Sequence, residues 1–197
     1  MLLEGRPLRT YHATRLLPHE VESIRHEGLH ASTRALLEGR IDEAVRRGQL
    51  DRAQAHVMRS STTFARGRSI GRVGIVCSML GRARLRHRAA VQGLLCCWGG
   101  ETLHGHDREM QRTLSQLGTP TVVVLNHPMP VGITTNLFPG LVAAFRDAYW
   151  DPGRVSADVI HHGPLPPTAV AEVLDAERAA KSGGFPELEW LKGGPLF

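Results

Sequence analysis

The segment Tyr11-His12-Ala13-Thr14-Arg15 brings an imidazole, a hydroxyl and a guanidinium within a few residues of one another. Weak alternation of apolar and polar residues predicts a short strand over Leu8–Ala13. Side chains two apart on a strand point to the same side, so His12 and Thr14 would face one ligand. The small Ala13 would let that ligand approach the backbone closely. The pattern predicts a binding pocket, and the alternative is a histidine that packs in the core or caps the next helix.

A second candidate segment lies far downstream, where a predicted strand over Ala157–His161 ends in a proline-rich turn at Gly163–Pro167. Asp158 stands near the start of this strand. The structural alternative is that Asp158 caps an exposed strand edge.

The first motif, followed by a predicted helix and by Gly28-Leu29, resembles the opening of the NAD-dependent ADP-ribosyltransferase superfamily, which includes tRNA 2′-phosphotransferases and DNA-modifying toxins. Residues 157–167 resemble that superfamily's later strand and turn, in which Asp158 matches the place of the catalytic acid, which is usually Glu. The resemblance thus makes Asp158 a candidate catalytic residue. The resemblance implies an α+β fold, with a small split antiparallel or mixed sheet flanked by helices. It also implies NAD as co-substrate.

Roles for individual residues follow from the same resemblance. His12 would hydrogen-bond the adenosine-side ribose, and backbone groups at Ala13 would hold the nicotinamide amide. Arg15 would meet the pyrophosphate, since a guanidinium pairs bidentately with phosphate. Tyr11, Thr14 and an aromatic ring stacked on the nicotinamide would complete the cofactor site.

The motif Trp98-Gly99-Gly100-Glu101 supplies that ring and a second candidate acid. Two glycines let the backbone fold tightly, so the indole and the carboxylate could face one cavity. The order of motifs over residues 10–130 also resembles a bacterial branch of ADP-ribosyltransferase-like proteins, which makes Glu101 the other contender for the acid. Glu101 is preferred slightly over Asp158, because it is a Glu in a glycine-framed turn that follows a basic segment. The alternative is a turn after a helix, with Trp98 in the core.

The middle of the chain is cationic, because no acidic residue lies between Asp51 and Glu101. Arginine forks suit phosphate oxygens, so this stretch favours a polyanionic partner, nucleic acid above all. A solvated basic surface is the alternative interpretation. The candidate nucleic-acid-binding residues are Arg66, Arg68, Arg82, Arg84, Arg86 and Arg88.

Other chemistries have weaker support in the sequence. His104-Gly105-His106-Asp107 with His127 or His161-His162 could be assembled into a metal site, but no established metal spacing is present, and we predict none. No Gly-x-Gly-x-x-Gly follows a strand, so a Rossmann mode of NAD binding is not expected. The three cysteines lack a Cys-x-x-Cys pair and are expected to be reduced and mostly buried.

These residues require a mixed framework of strands and helices. Strands are predicted at Val73–Met79, Thr121–Asn126 and Ala157–His161, in addition to the first. Helices are predicted over Pro18 to Gly28, Ser32 to Gly48, Asp51 to Met58, Arg82 to Cys97, Leu141 to Tyr149 and Thr168 to Ala180. A mobile Arg-rich loop at 59–72 and an irregular tail at 182–197, onto which Trp190 and Leu191 could dock, complete the expectation.

The chain has 197 residues, of which 42% are hydrophobic, and this predicts one compact domain. No long apolar run or signal peptide is apparent, so we expect a cytoplasmic protein without a membrane partner. The leading hypothesis is an ADP-ribosyltransferase, a bacterial toxin or defence factor, that modifies nucleic acid or protein and that an inhibitory partner protein could cover. The alternatives are a non-catalytic basic module that binds nucleic acid or a partner, and an RNA 2′-phosphotransferase-like enzyme.

Overall fold

The computed structural model describes residues 7–67, 73–103, 108–128 and 157–193. The strands are β1 Pro7–Leu16, β2 Ile75–Leu80, β3 Thr119–Pro128, β4 Ala157–His162 and β5 Val170–Asp175. The α-helices are α1 Pro18–Glu27, α2 Arg34–Arg46, α3 Arg52–Ser61, α4 Arg88–Cys96, α5 Arg108–Gln116 and α6 Ala176–Lys181. Short 3-10 helices occupy Arg82–Arg86, Gly100–Thr102, Pro167–Ala169 and Pro186–Gly193.

The strands form one antiparallel sheet in the order β4-β2-β1-β3-β5. Strand β1 is central and pairs along its whole length with β3, from Pro7 opposite Pro128 to Leu16 opposite Thr119. An α+β fold was predicted, and the structure confirms it at this level. The β-branched strand at Thr121–Asn126 is also confirmed, and Val122, Val123, Val124 and Leu125 are fully buried within it.

One side of the sheet, here called the apolar face, carries Tyr11 and Ala13 of β1. The cross-strand register puts Met79, Val122 and Val124 on the same side. These side chains pack with Leu85, α4, α6 and the C-terminal 3-10 helix in one buried cluster. Alternation along β1 places its other side chains on the opposite side of the sheet.

That opposite side, here called the histidine face, carries His12, His127 and His161 with the hydroxyls of Thr10 and Ser78. Around these polar groups it also buries apolar residues of β1, β2 and β3 against α1 and the 165–169 turn. A further core is built by α2, α3 and α5 around Trp98.

Helix α1 ends at Gly28, whose φ of 90° favours glycine. A Cβ atom there would lie 2.0 Å from the carbonyl oxygen of Leu165, so the glycine is required by the close approach of two chain segments. Leu29 and Leu165 exchange two backbone hydrogen bonds of 2.9 Å each. The Gly28-Leu29 motif therefore lies directly against the turn that follows β4.

The predicted helix from Thr168 to Ala180 is wrong over most of its length, because Val170–Asp175 forms edge strand β5 and only Ala176–Lys181 is α-helical. Ala, Glu and Leu in this segment favour a helix, but pairing with β3 buries its valines and overrides that preference. Asp175 ends the strand and caps the helix, since its Oδ1 accepts a hydrogen bond from Arg178 N.

Two further boundaries differ from the sequence prediction. The helix expected over Arg82 to Cys97 is interrupted at His87, after which α4 begins. Helix α5 was not predicted, although Met110 and Leu114 follow helical spacing and are its buried residues. The predicted helix at 141–149 lies outside the described residues.

The C-terminal segment is more ordered than the irregular tail that was expected. Pro186–Gly193 is a 3-10 helix in which Leu188 is fully buried. Docking of its last turn is confirmed, because Leu191 is buried and Trp190 Nε1 donates to the carbonyl oxygen of Leu85 at 2.8 Å. The predicted loop at 59–72 begins within α3, which extends to Ser61.

Across the four described ranges, no helix has the length and apolar character needed to cross a lipid bilayer.

Candidate functional site

The five-residue motif at Tyr11–Arg15 lies in the middle and second half of β1, because the strand extends to Leu16. Strand alternation divides the motif between the two sides of the sheet. Tyr11 and Ala13 are buried in the cluster of the apolar face. His12 and Thr14 share the histidine face and are both partly exposed. Only these two members of the motif can therefore meet one ligand through their side chains.

His12 has a defined tautomer. Its Nδ1 lies 2.7 Å from the carbonyl oxygen of Cys77. A carbonyl oxygen only accepts, so Nδ1 must carry the hydrogen in that bond. Burial, opposed by this hydrogen bond and assisted by the positive charge of Arg40, lowers the pKa of His12 below its ordinary value of 6.5. At neutral pH the imidazole is therefore uncharged, and its Nε2 is a hydrogen-bond acceptor with no partner among the described residues.

Two more histidines lie on the same face. The rings of His127 and His161 meet edge to face, with their centres 4.2 Å apart. His161 Nε2 lies 3.2 Å from Ser78 Oγ, and His127 Nε2 lies 3.5 Å from Thr10 Oγ1. Burial lowers the pKa of His127, and burial with the charges of its two histidine neighbours lowers the pKa of His161 to about 4. These histidines are neutral at pH 7, and protonating any one of them would disfavour protonating the others.

Ser78 and His161 are residue types that can act as a nucleophile and its general base, but their surroundings do not suit those roles. Both side chains are buried, and a base with a pKa of about 4 accepts a proton weakly at neutral pH. No carboxylate orients His161 in the part of the chain that the structure describes. This pair is better understood as a packed polar contact within the sheet.

Arg40 of α2 lies beside this face and was not singled out from the sequence. Its Nε donates to Glu20 Oε1 at 2.5 Å, and its guanidinium carbon lies 4.9 Å from the centre of the Trp98 ring. Glu20 Oε2 accepts hydrogen bonds from Leu17 N at 2.8 Å and Trp98 Nε1 at 2.9 Å. Burial raises the pKa of Glu20, but its bonds with Arg40, Leu17 and Trp98 outweigh that effect and lower it overall. Glu20 is therefore ionised and fully engaged.

Two residues predicted to bind the cofactor have structural roles instead in this arrangement. Trp98 is 0% exposed and lies in the helical core, where its indole bonds to Glu20. Arg15 donates from Nε to the carbonyl oxygen of Leu117 at 2.7 Å and from Nη1 to that of Leu95 at 3.1 Å. The guanidinium of Arg15 is thus committed to two chain segments, on the side of β1 away from His12.

The two candidate acids are placed differently. Asp158 is exposed and lies opposite Met79 in the β2–β4 register, so it shares the apolar side of the sheet with Tyr11 and not with His12. Glu101 belongs to the 3-10 turn Gly100–Thr102, and its side chain lies outside what the structure describes. The turn begins two residues after Trp98, with positive φ at Gly99 and Gly100.

The arginines of the cationic stretch do not form one free surface. Arg82 Nη2 donates to Gly184 O at 2.7 Å and to Glu187 at 2.9 Å, and Arg86 lies 3.8 Å from the same carboxylate. Arg84 is also partnered. Arg66 and Arg88 are exposed, and Arg68 lies outside the described residues. Glu187 thus neutralises part of the predicted nucleic-acid surface.

Neither metal nor thiol chemistry finds a site in the described part of the chain. No group of three His, Cys, Asp or Glu side chains is arranged there to hold a metal ion, and residues 104–107 lie outside it. Burial and the neighbouring Cys97 raise the pKa of Cys96 to about 12, and burial raises that of Cys97. Both thiols stay protonated and unreactive at neutral pH.

Sequence reasoning missed the pair Glu20 and Arg40, although part of a signal was present. Glu20 follows Leu17 by three residues at the start of α1, the position from which a glutamate reaches back to a helix-start amide. Arg40 lies between buried Leu37 and Ile41 on α2, at the margin of an apolar stripe. Their meeting depends on how α1 and α2 pack, which no local pattern encodes.

The arrangement as a whole offers a hydrogen-bond acceptor at His12, a hydroxyl at Thr14 and a half-buried cation at Arg40. Such a combination suits a ligand that carries both hydroxyl and anionic groups. In comparisons with known proteins, no family model, no curated protein and no solved structure matches this chain.

Proposed function

We propose that this protein is an NAD-dependent ADP-ribosyltransferase whose site is centred on His12. The observation that carries the proposal is the fixed, neutral tautomer of His12 on the central strand. Because Nδ1 donates to Cys77 O, the free Nε2 can accept a hydrogen bond from a ligand hydroxyl. A ribose presents such hydroxyls, and the charge of Arg40 helps to keep the imidazole neutral.

The proposed reaction breaks the bond between the ribose C1′ and the nicotinamide nitrogen, which leaves with the bonding electron pair. An acceptor oxygen or nitrogen then forms a bond to C1′ and loses its proton. The transition state carries positive charge on the ribose, so a nearby carboxylate stabilises it. In this scheme, His12 holds the ribose through a hydroxyl, and Thr14 adds a second polar group on the same face.

A second observation supports the proposal. The two segments that carry the resemblance to ADP-ribosyltransferases are far apart in sequence, yet they are neighbours in space. Leu29, next to Gly28, pairs with Leu165 in the turn after β4. Both segments adjoin the histidine face, since Leu29 and Leu165 belong to its buried cluster.

Of the two candidate acids, the geometry favours Glu101. Asp158 lies on the opposite side of the sheet from His12. The backbone at Glu101 follows Trp98 by three residues, a span of at most about 11 Å, and Trp98 itself contacts Arg40. The proposal therefore takes Glu101 as the acid.

The proposed acceptor remains nucleic acid or protein. Among the exposed members of the six candidate nucleic-acid-binding arginines, Arg66 and Arg88 are the two that the structure describes without a bond to the C-terminal segment. A non-catalytic binding module and an RNA 2′-phosphotransferase-like enzyme are the competing outcomes of the test. If the protein is a toxin, the proposal includes an inhibitory partner protein.

The test is nicotinamide release from NAD by the purified protein, alone and with RNA, DNA or cell lysate. His12→Gln should lower release at least about tenfold, as expected for loss of a hydrogen bond in a buried site, while His26→Gln on the exposed surface of α1 should leave it unchanged. Glu101→Gln should abolish release, and Asp158→Asn should retain it.

Three outcomes would contradict the proposal or redirect it. Folded protein that releases no nicotinamide with any acceptor would overturn it. Salt-dependent RNA or DNA binding without NAD turnover would favour the binding module. Removal of a 2′-phosphate from RNA would favour the phosphotransferase-like alternative.

A further inference from the structure

The guanidinium of Arg40 is held rigidly but is not fully satisfied. Glu20 binds its Nε, and the Trp98 ring lies 4.9 Å from its central carbon. Its Nη2 is buried and has no hydrogen-bond partner among the residues that the structure describes. Buried donors are almost always paired in folded proteins, so an orphaned charged donor in a fixed side chain indicates a missing acceptor.

Glu20 cannot supply that acceptor by turning. Its Oε2 already accepts from Leu17 N and Trp98 Nε1, while Oε1 accepts from Arg40 Nε. Rotation of the carboxylate toward Nη2 would break at least one of these bonds. The remaining acceptor must therefore come from a group outside this cluster.

Several other arginines are committed elsewhere. Arg34 donates to Phe64 O at 3.2 Å, and Arg59 pairs with Asp42. Arg15, which was expected to bind the pyrophosphate, donates to two backbone carbonyls. Arg82 Nε also has no partner in the described part of the chain, but Arg82 Nη2 already binds two oxygens of the C-terminal segment.

Arg40 lies near enough to His12 for its charge to act on the imidazole. Its positive charge is one of the causes that lower the pKa of His12. An acceptor nitrogen on His12 and a donor nitrogen on Arg40 are complementary to the two kinds of group in a nucleotide, a ribose hydroxyl and a phosphate oxygen.

We propose that Arg40 binds a phosphate group of the nucleotide whose ribose is bound by His12, taking the role that the sequence assigned to Arg15. The identity of the nucleotide as NAD rests on the proposed function, but the phosphate contact does not. Glu20 and Trp98 are positioning residues for this contact, because they fix the guanidinium without touching the ligand.

The test is isothermal titration calorimetry of the full chain with inorganic pyrophosphate and with ADP-ribose. Arg40→Gln should weaken the binding of both at least about tenfold, the usual effect of losing a charged hydrogen bond. Arg46→Gln is the matched control, since it removes the same charge from an exposed position on the same helix, where Glu43 still pairs with Arg47. It should change either affinity less than about twofold.

Loss of folding must be separated from loss of the site, because Arg40→Gln leaves the Glu20 charge buried without its cation. The double variant Glu20→Gln/Arg40→Gln removes both charges and keeps an amide oxygen for Leu17 N and Trp98 Nε1. Its circular dichroism should match the wild type, and its pyrophosphate affinity should be as low as that of Arg40→Gln.

The variant His12→Gln tests the ribose contact of His12 separately from the phosphate contact of Arg40. It should weaken ADP-ribose, which has ribose hydroxyls, and leave pyrophosphate binding within about twofold, because pyrophosphate has none. Titration with single-stranded RNA distinguishes the phosphate of a free nucleotide from a phosphate of a nucleic-acid backbone. Arg40→Gln should weaken ADP-ribose more than RNA, and the reverse order would overturn the assignment to a nucleotide.

Two results would overturn the inference outright. One is a folded Arg40 variant that binds pyrophosphate and ADP-ribose as Arg46→Gln does. The other is wild-type protein that binds neither probe. If the phosphate contact holds while nicotinamide is never released, the proposed function fails and the inference stands, so the two failures are distinguishable.

Discussion

Strand β1 contributes buried apolar side chains to one face of the sheet and polar side chains to the other. On the apolar face, Tyr11 and Ala13 are buried among valines and the leucines of α4 and the C-terminal segment. On the histidine face, His12 and its histidine neighbours are held by a few polar contacts of 2.7 to 3.5 Å. The first face is stabilised by burial, which does not depend on pH. The second has groups that titrate, and it leaves Nε2 of His12 without a partner among the described residues.

A motif that is contiguous in sequence is therefore not a contiguous site in this protein. Five neighbouring residues at 11–15 suggest one pocket, but period-two alternation sends three of them to one side and two to the other. The side that can bind a ligand is then completed from a distant element, α2, through Arg40. The variants proposed below each perturb one of the two faces, and exposed positions serve as controls.

The largest expected effect is on the apolar face, at Leu188. Its side chain is fully buried against α4 and α6, so Leu188→Ala should lower the free energy of unfolding by about 3 kcal/mol through lost burial and the cavity that remains. Urea unfolding at pH 7 and at pH 5 measures it, and the loss should be the same at both values. Val57→Ala, at an exposed position, should cost little. A loss below about 1 kcal/mol would mean that the C-terminal segment is not part of this core.

The next effect belongs to the histidine face and depends on pH. His161 has a pKa of about 4 in the folded protein against an ordinary 6.5, so the unfolded chain binds more protons between these two values. Stability is therefore present above pH 6.5 and is lost as the pH falls toward 4, by about 3 kcal/mol from this group. His161→Phe should remove that part of the loss, which urea unfolding across the window measures.

His26→Gln is the control for this comparison, because His26 is exposed on α1. It should leave the slope of stability against pH unchanged. If His161→Phe had the same slope as the wild type, the histidine face would not be the acid-sensitive part of the protein.

The framework was more predictable from sequence than the site. The long β-branched run of β3 and the capped helices α1 and α3 have local signals that packing did not overrule. Strand β5 could not be predicted from local signals, because its Ala, Glu and Leu favour a helix. Pairing with β3 makes this segment a strand. The antiparallel order of the sheet also depends on long-range pairing, which alternation alone does not specify.

At the site, sequence reasoning singled out His12 but not Arg40. The motif at 11–15 predicted that His12 lies on a strand, but it could not show that Arg15 is bound to two carbonyl oxygens. Trp98 looked accessible beside two glycines, whereas the packing of α2 and α5 encloses it. Arg40 has no motif of its own. Its role arises from a buried contact with Glu20, and such contacts follow from packing.

A smaller effect is expected where the cationic stretch meets the C-terminal segment. Arg82 bonds to Gly184 O and Glu187 and lies over the Phe185 ring at 4.1 Å. Because Arg82 is over a third exposed, solvent screens this contact, and Arg82→Gln should cost about 1 kcal/mol. Thermal unfolding at low and high salt measures it, and the cost should shrink at high salt.

Exposed Arg88 provides the control for Arg82, since Arg88→Gln removes the same charge but only a 3.3 Å contact with Gln92. Its effect on stability should be near zero. Equal effects at the two positions would mean that Arg82 does not fasten the segment carrying Leu188 to the apolar face.

The smallest effect is expected at Ser78, in the middle of the histidine face. Its hydroxyl lies 3.2 Å from His161 Nε2 and 3.5 Å from Val159 O, distances at which hydroxyl hydrogen bonds are weak. Ser78→Ala should therefore cost less than about 1 kcal/mol at pH 7 in urea unfolding. If it instead cost as much as Leu188→Ala, the histidine face would be a tight polar network on which the fold depends. A small cost would mean that burial holds the sheet together and that the polar groups of this face are free to serve a ligand.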